Sequence, residues 1–216
     1  MIELVSRKSV FEKLPKIGNE IHLIQKSMYE DCFTETGFPL TKNQLFELQS
    51  ESDHLEIKNV LDYDFELIKV RSNINYSYSK YFKCIANQLD NLLSETKTEN
   101  FYIISHLKQD FFHAMKSQYK NKRFRKVYSK LENKLKLGSY NEAIKICKNE
   151  LIDFLEILNQ IDTIGAGVPE YILICDENDK FCFYFHYSRE ITFWFFSKEE
   201  LFFHKLFSKH NFQILS

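Results

Sequence analysis

Through the middle of the chain, apolar residues return at three- and four-residue steps: Ile74, Tyr78, Tyr81, Ile85, Leu89 and Leu92. That spacing lines one helical face and predicts a long helix over residues 64–94. Ile104, Leu107, Phe111, Phe112 and Met115 predict a second helix over 98–119, and a third is expected over 121–136. A fourth follows Gly138 and Ser139, turning Ile144, Cys147, Leu151, Phe154, Leu155 and Leu158 inward. Short connections favour antiparallel neighbours. The pairs Thr41 and Gln44, Thr96 and Glu99, Ser139 and Glu142, and Ser197 and Glu200 have capping-box spacing, in which the hydroxyl accepts from an orphan N–H at a helix start. Gly18, Gly37 and Pro39 divide the first 60 residues into two or three short helices.

The pattern changes after Ile164, where Gly165, Gly167 and Pro169 form the densest cluster of breakers. Residues 171–175 read as a strand, Asn178 and Asp179 as a turn, 180–187 as the returning strand and 191–196 as a third. A helix over 198–207 and a last strand over 212–215 complete the chain. A two-residue turn pairs Cys175 with Cys182, Ile174 with Phe183 and Leu173 with Tyr184. Ile172, Ile174, Phe183 and Phe185 then share one face, and Leu173, Cys175, Cys182, Tyr184 and His186 the other. A sheet apolar on both faces needs cover on both. The helix over 198–207 supplies one side, and the helical region, or a second copy of the chain, the other. The predicted fold class is therefore α+β: an N-terminal, mainly α-helical bundle (1–162), then a small, mainly antiparallel three- to four-stranded sheet with one helix (163–216) packed on it.

With 44% hydrophobic and 27% charged residues among 216, the chain can bury a core without disulfides or metals. Only 5 Gly and 3 Pro exclude collagen-like and linker-rich designs. The cysteines, Cys32, Cys84, Cys147, Cys175 and Cys182, are odd in number and lack a Cys-x-x-Cys pair, as reduced thiols of a cytoplasmic protein would be. The N-terminus carries charges every few residues and has no apolar leader core. The most apolar stretch, Ile191–Phe196, is far below the roughly 20 residues that span a membrane.

Charge is balanced overall, at −1, and polarised locally. Residues 116–136 hold nine Lys/Arg and one acid, Glu132, for +8, which leaves −9 for the remainder. Tyr119, Phe124 and Tyr128 interleave with the cations. Cations neutralise phosphates or acidic protein surfaces, and aromatic faces stack on unpaired bases; the alternative is a solvated helix face with its rings in the core. The candidate contacts are Lys122, Arg123, Phe124, Arg125, Lys126, Tyr128 and Lys130.

His106, Asp110 and His113 fall on one face of the helix expected over 98–119. Two imidazoles and a carboxylate suit a divalent metal or acid–base work; a polar outer face is the alternative, and no second cluster completes the set. Cys175 and Cys182 suit a cross-strand disulfide or two buried thiols. Gly165-Ala166-Gly167 has a helix before it and a strand after it, the reverse of a dinucleotide loop, and reads as a helix cap and hinge. Glu56-Ile57-Lys58 matches a fragment of metal-dependent nucleases but lacks an upstream acid. Residues 138–144, Gly-Ser-Tyr-Asn-Glu-Ala-Ile, resemble the second helix of a tetratricopeptide repeat, where a small residue and a Tyr permit close packing. No second copy follows at the repeat's period of about 34 residues, so the resemblance implies a single tight helical hairpin.

No catalytic residue, metal or cofactor is assigned. The chain reads as a non-enzymatic cytoplasmic protein that binds another macromolecule, of the bacterial immunity, antitoxin or phage-defence accessory kind, and acts by occlusion. A protein partner is expected first, nucleic acid through residues 116–136 second, a homodimer is an open alternative, and no membrane is involved.

Overall fold

Phe181, Phe183 and Phe185 leave their strand on one side, Cys182 and Tyr184 on the other, and all five are buried. Such a strand is stable only inside a sheet covered on both faces. A computed structural model describes residues 2–35, 41, 52–53, 63–112, 120–164, 171–186, 188–198 and 200–215, and the structural statements here concern those residues. There the Phe181 strand is central to one eight-stranded sheet in which every described pairing is antiparallel.

In chain order the described elements are β1 (Ile2–Val5), α1 (Arg7–Lys13), α2 (Pro15–Glu35), β2 (Glu66–Ser72), α3 (Tyr78–Leu93), β3 (Asn100–Ser105), α4 (Lys122–Leu135), β4 (Ala143–Cys147), α5 (Lys148–Ile164), β5 (Ile172–Asp176), β6 (Phe181–Phe185), β7 (Ile191–Phe195), α6 (Glu200–Lys209) and β8 (Phe212–Leu215). The strands lie in the order β1-β4-β3-β5-β6-β7-β2-β8. On one face, Phe101, Ile103, Ile144, Ile174, Phe183 and Phe193 meet the apolar sides of α3, α4, α5 and α6. On the other, Tyr102, Ile104, Leu173, Cys175, Tyr184 and Trp194 meet Val10 and Phe11 of α1, Leu14, and Ile17 and Ile21 of α2. The result is three layers, helix, sheet, helix, and the chain's own helices cover the central strands on both sides.

Part of the expected pattern holds. Cys175 pairs with Cys182 and Ile174 with Phe183, β8 has the expected bounds, and α4 runs within one residue of its expected ends. The fold class does not hold. Helices and strands are interspersed from residue 2 onward, and there is no N-terminal helical bundle followed by a small sheet of three or four strands. The sheet takes strands from before and after residue 163, because β3 pairs with β5 and β2 with both β7 and β8.

Three predicted helices contain strands. Residues 98–119 were expected to be helical, yet 100–105 form β3, buried on both faces with Phe101 and Ile103 on one and Tyr102 and Ile104 on the other. A short, doubly buried strand reads as an apolar run, which periodicity alone does not separate from a helix. The helix expected over 64–94 is β2 followed by α3, with Ile74 in the turn between them. The segment resembling a repeat helix leads into β4 instead, and the Tyr140 hydroxyl donates to the Ala143 carbonyl at 2.8 Å. Gly18 breaks nothing: it lies inside α2, where an added Cβ would stand 3.2 Å from the Phe11 ring. Gly37, Pro39, the Glu56–Lys58 fragment and the Gly165–Pro169 cluster lie outside the described residues.

Candidate functional site

Helix α4 carries its chemistry on two sides. The Asn121 side chain caps its start by accepting from Arg123 N–H at 3.0 Å. Phe124, Val127, Tyr128, Leu131 and Leu135 recur at helical spacing and are buried. Phe124 is 6% exposed and Tyr128 1%, so both rings belong to the core and not to the basic surface. Burial, and next the charge of Asp110, push the Tyr128 phenol above its ordinary range, and its buried hydroxyl has no hydrogen-bond partner among the described residues. Tyr119 lies outside the described residues.

The outer side presents Lys122, Arg123, Arg125 and Lys126, all exposed, with Lys120 exposed just before the helix. Further along, the cations turn toward α5. Lys130 Nζ reaches Glu156 at 3.0 Å and Gln160 at 3.3 Å, and Lys134 pairs with Asp153. The first turn of α4 has no acidic residue, so its cations stand at the positive end of the helix dipole.

The residues of the His106, Asp110 and His113 set do not share a helix face, because 98–112 contain no helix and His113 lies outside the described residues. His106 follows β3, is buried, and accepts from Tyr171 N–H through Nδ1 at 3.2 Å. Asp110 holds the turn before β4, accepting from Phe112 N–H, Tyr140 N–H and the Ser139 hydroxyl at 2.8–3.0 Å. Among the described residues no group of three His, Cys, Asp or Glu is arranged to hold a metal. Cys175 and Cys182 are buried free thiols, and burial, then the Cys175 neighbour, push the Cys182 thiol up. No described helix is long and apolar enough to cross a membrane.

A buried polar cluster escaped the sequence reading altogether. Arg7, 2% exposed, donates through Nε and Nη2 to the two oxygens of Asp53, both at 2.7 Å, and through Nη1 to the Ser105 hydroxyl at 3.3 Å. The Gln25 amide donates to Asp53 at 2.9 Å and to the His106 carbonyl at 2.7 Å. A fork-to-fork pair so fully engaged fixes α1, α2 and residue 53 against the end of β3. Its local sequence, Ser-Arg-Lys, looks like ordinary surface polarity.

A second buried group is Asp162 near the end of α5, whose Oδ2 has no hydrogen-bond partner among the described residues and whose pKa burial raises to about 7. Its native pKa lies above the unfolded value. Its favourable contribution is therefore complete below the ordinary value of 3.8 and is lost as pH rises through about 7. Asp162→Asn, which mimics the protonated form, is expected to stabilise the protein by roughly 1–3 kcal/mol at about pH 8 and by far less near pH 4. Denaturant titrations of both proteins across that range check this, and a pH-independent difference would count against it.

No protein-family model, curated protein or solved structure matches the chain.

Proposed function

We propose that the protein works without chemistry of its own, by laying the basic face of α4 against an acidic surface of a protein partner. In this it would act like an immunity or antitoxin protein, or a phage-defence accessory, that occludes its target. The observation that carries the reading is the first turn of α4, where Lys122, Arg123 and Arg125 are exposed with no acid among them. At the positive end of a helix dipole each cation costs roughly 0.3–1 kcal/mol of helix stability. An anionic partner converts that cost into attraction.

The contacts are Lys122, Arg123, Arg125 and Lys126; Lys130 is engaged with Glu156, and Phe124 and Tyr128 contribute to the core beneath. The remainder of the chain carries −9. A long polyanion reaching past α4 meets repulsion there, whereas an acidic patch the size of one helix face does not. A homodimer through this face would set the patch against its own copy, and like charges oppose it. A cytoplasmic location goes with this reading, as does the absence of disulfides at Cys84, Cys147, Cys175 and Cys182.

Nucleic-acid binding through residues 116–136 is the second reading, favoured by the run of exposed cations over 120–126 without an intervening acid. With the rings of Phe124 and Tyr128 buried, those two residues offer no base stacking, and the cations of α4 would contribute phosphate contacts.

The variant Arg123→Ala/Arg125→Ala/Lys126→Ala is expected to weaken partner binding by about tenfold or more. Affinity capture from a lysate of the encoding organism, with and without nuclease, provides the comparison. A protein retained by the native chain after nuclease and lost by the variant supports the first reading. Nucleic acid retained with a steep salt dependence supports the second. Equal retention by both proteins rules out α4.

A further inference from the structure

We propose that the cleft beside the β6–β7 turn binds a phosphate group carried on a small molecule, a site independent of the α4 reading. The cleft has a volume of about 340 Å³, and Arg71, Asn73, Asn75, Tyr76, Ser188 and Arg189 are among its lining residues. Small-molecule sites start at about 300 Å³. Its charged lining is two guanidiniums from separate segments, Arg71 on β2 and Arg189 in the turn before β7.

Both sides of the cleft are fixed by backbone bonds. His186 N–H donates to the Glu190 carbonyl and Arg189 N–H to the His186 carbonyl, both at 2.9 Å. The Arg189 guanidinium lies over the Tyr81 ring at 4.9 Å, and the Tyr81 hydroxyl donates to the Arg189 carbonyl at 3.4 Å. Across the cleft, Asn73 N–H donates to the Asn211 carbonyl at 2.8 Å and Ile74 N–H to the Ser72 hydroxyl at 3.1 Å. These bonds fix the backbone that carries the two arginines, and Arg71 meets the anion by exchanging Glu190 for it.

The chemistry favours phosphate over carboxylate. Arg71 already pairs with the Glu190 carboxylate at 2.7 Å and is half exposed. A second carboxylate offers Arg71 nothing that Glu190 does not. A phosphate monoester brings a second negative charge and three terminal oxygens, enough for two guanidinium forks and the amide donors of Asn73 and Asn75. Ile74, 41% exposed, and Tyr76 give the remainder of the ligand an apolar wall.

Inorganic phosphate, adenosine monophosphate and glucose 6-phosphate, with adenosine and glucose as controls, are titrated into the full chain by calorimetry and thermal shift. Saturable one-to-one binding of a phosphate-bearing probe, with none by the controls, is expected; adenosine monophosphate or glucose 6-phosphate binding the tighter tells a nucleotide from a sugar phosphate. Arg71→Ala and Arg189→Gly should each weaken binding by about tenfold or more. Glycine takes the left-handed φ of 65° at position 189 freely, so that variant keeps its turn. Glu190→Gln should tighten binding, because it removes the resident competitor for Arg71. Absence of saturable binding by all three phosphates, or full binding by the arginine variants, overturns the proposal; unchanged or weaker binding by Glu190→Gln overturns the position at Arg71.

Discussion

Asp53→Ala is expected to cost about 3–5 kcal/mol of folding stability, because it leaves a buried guanidinium without its counter-charge. Arg7 and Asp53 are 2% and 7% exposed in their side chains and joined at 2.7 Å, so water reaches neither readily. After the truncation the Arg7 side chain retains only the Ser105 hydroxyl at 3.3 Å, and Gln25 loses one of its two acceptors. The Phe11 ring, 5.4 Å from the guanidinium carbon, compensates a small part of the lost charge. Asp53→Asn should fall between the two proteins, since the amide oxygen still accepts one N–H but carries no charge. Arg7→Met with Asp53→Leu should lose far less than Asp53→Ala, because apolar replacement of both partners removes the desolvation cost together with the attraction. Equilibrium denaturation of the four proteins checks the series. A loss below about 1 kcal/mol for Asp53→Ala would show a pair as weak as an exposed one.

That ion pair also marks the limit of what the sequence discloses. Its partners stand 46 residues apart, and neither has a local pattern to announce it. Asp179 behaves in the same way. It sits in the predicted Asn178–Asp179 turn, yet its carboxylate accepts from Lys16 N–H at 2.8 Å and Ile17 N–H at 3.2 Å, capping α2 from across the fold. The hairpin register and α4 were legible because turn chemistry and period set them locally. Strands β3 and β4 were not. Phe101 to Ile104 face a helical layer on each side, and double burial erases the alternation that marks a half-exposed strand, whereas β4 is only five residues long and its Lys145 stays part-exposed beside Glu3. The basic face of α4 was half legible. Lys122, Arg123, Arg125 and Lys126 are exposed while Lys130 turns to Glu156, and the spacing of Phe124, Val127, Tyr128, Leu131 and Leu135 already described a core stripe that takes the two rings out of the surface.

The aromatic layer over the sheet is the place where a single truncation should do the most damage without touching a charge. Phe193 on β7 is fully buried, with Phe183 and Phe207 ring centroids at 5.0 Å, Phe203 at 5.8 Å and Phe195 at 6.0 Å. Its neighbours come from two strands and from α6, so the cavity left by Phe193→Ala borders three elements held by cross-strand pairing or helix packing. Such surroundings relax little, and Phe→Ala in a core costs about 3–5 kcal/mol. For a chain of this size each kcal/mol moves the melting temperature by roughly 2–4 °C. Phe193→Leu, which keeps most of the volume, should lose clearly less. Phe202 on α6 is the matched control: it is 40% exposed, its ring meets Phe203 at 5.8 Å, and its truncation should cost about 1 kcal/mol or less. Denaturant midpoints of the three variants test the ranking. If Phe193→Ala falls no further than Phe202→Ala, the sheet and α6 close over the cavity, and the aromatic layer fills space without fixing the position of α6.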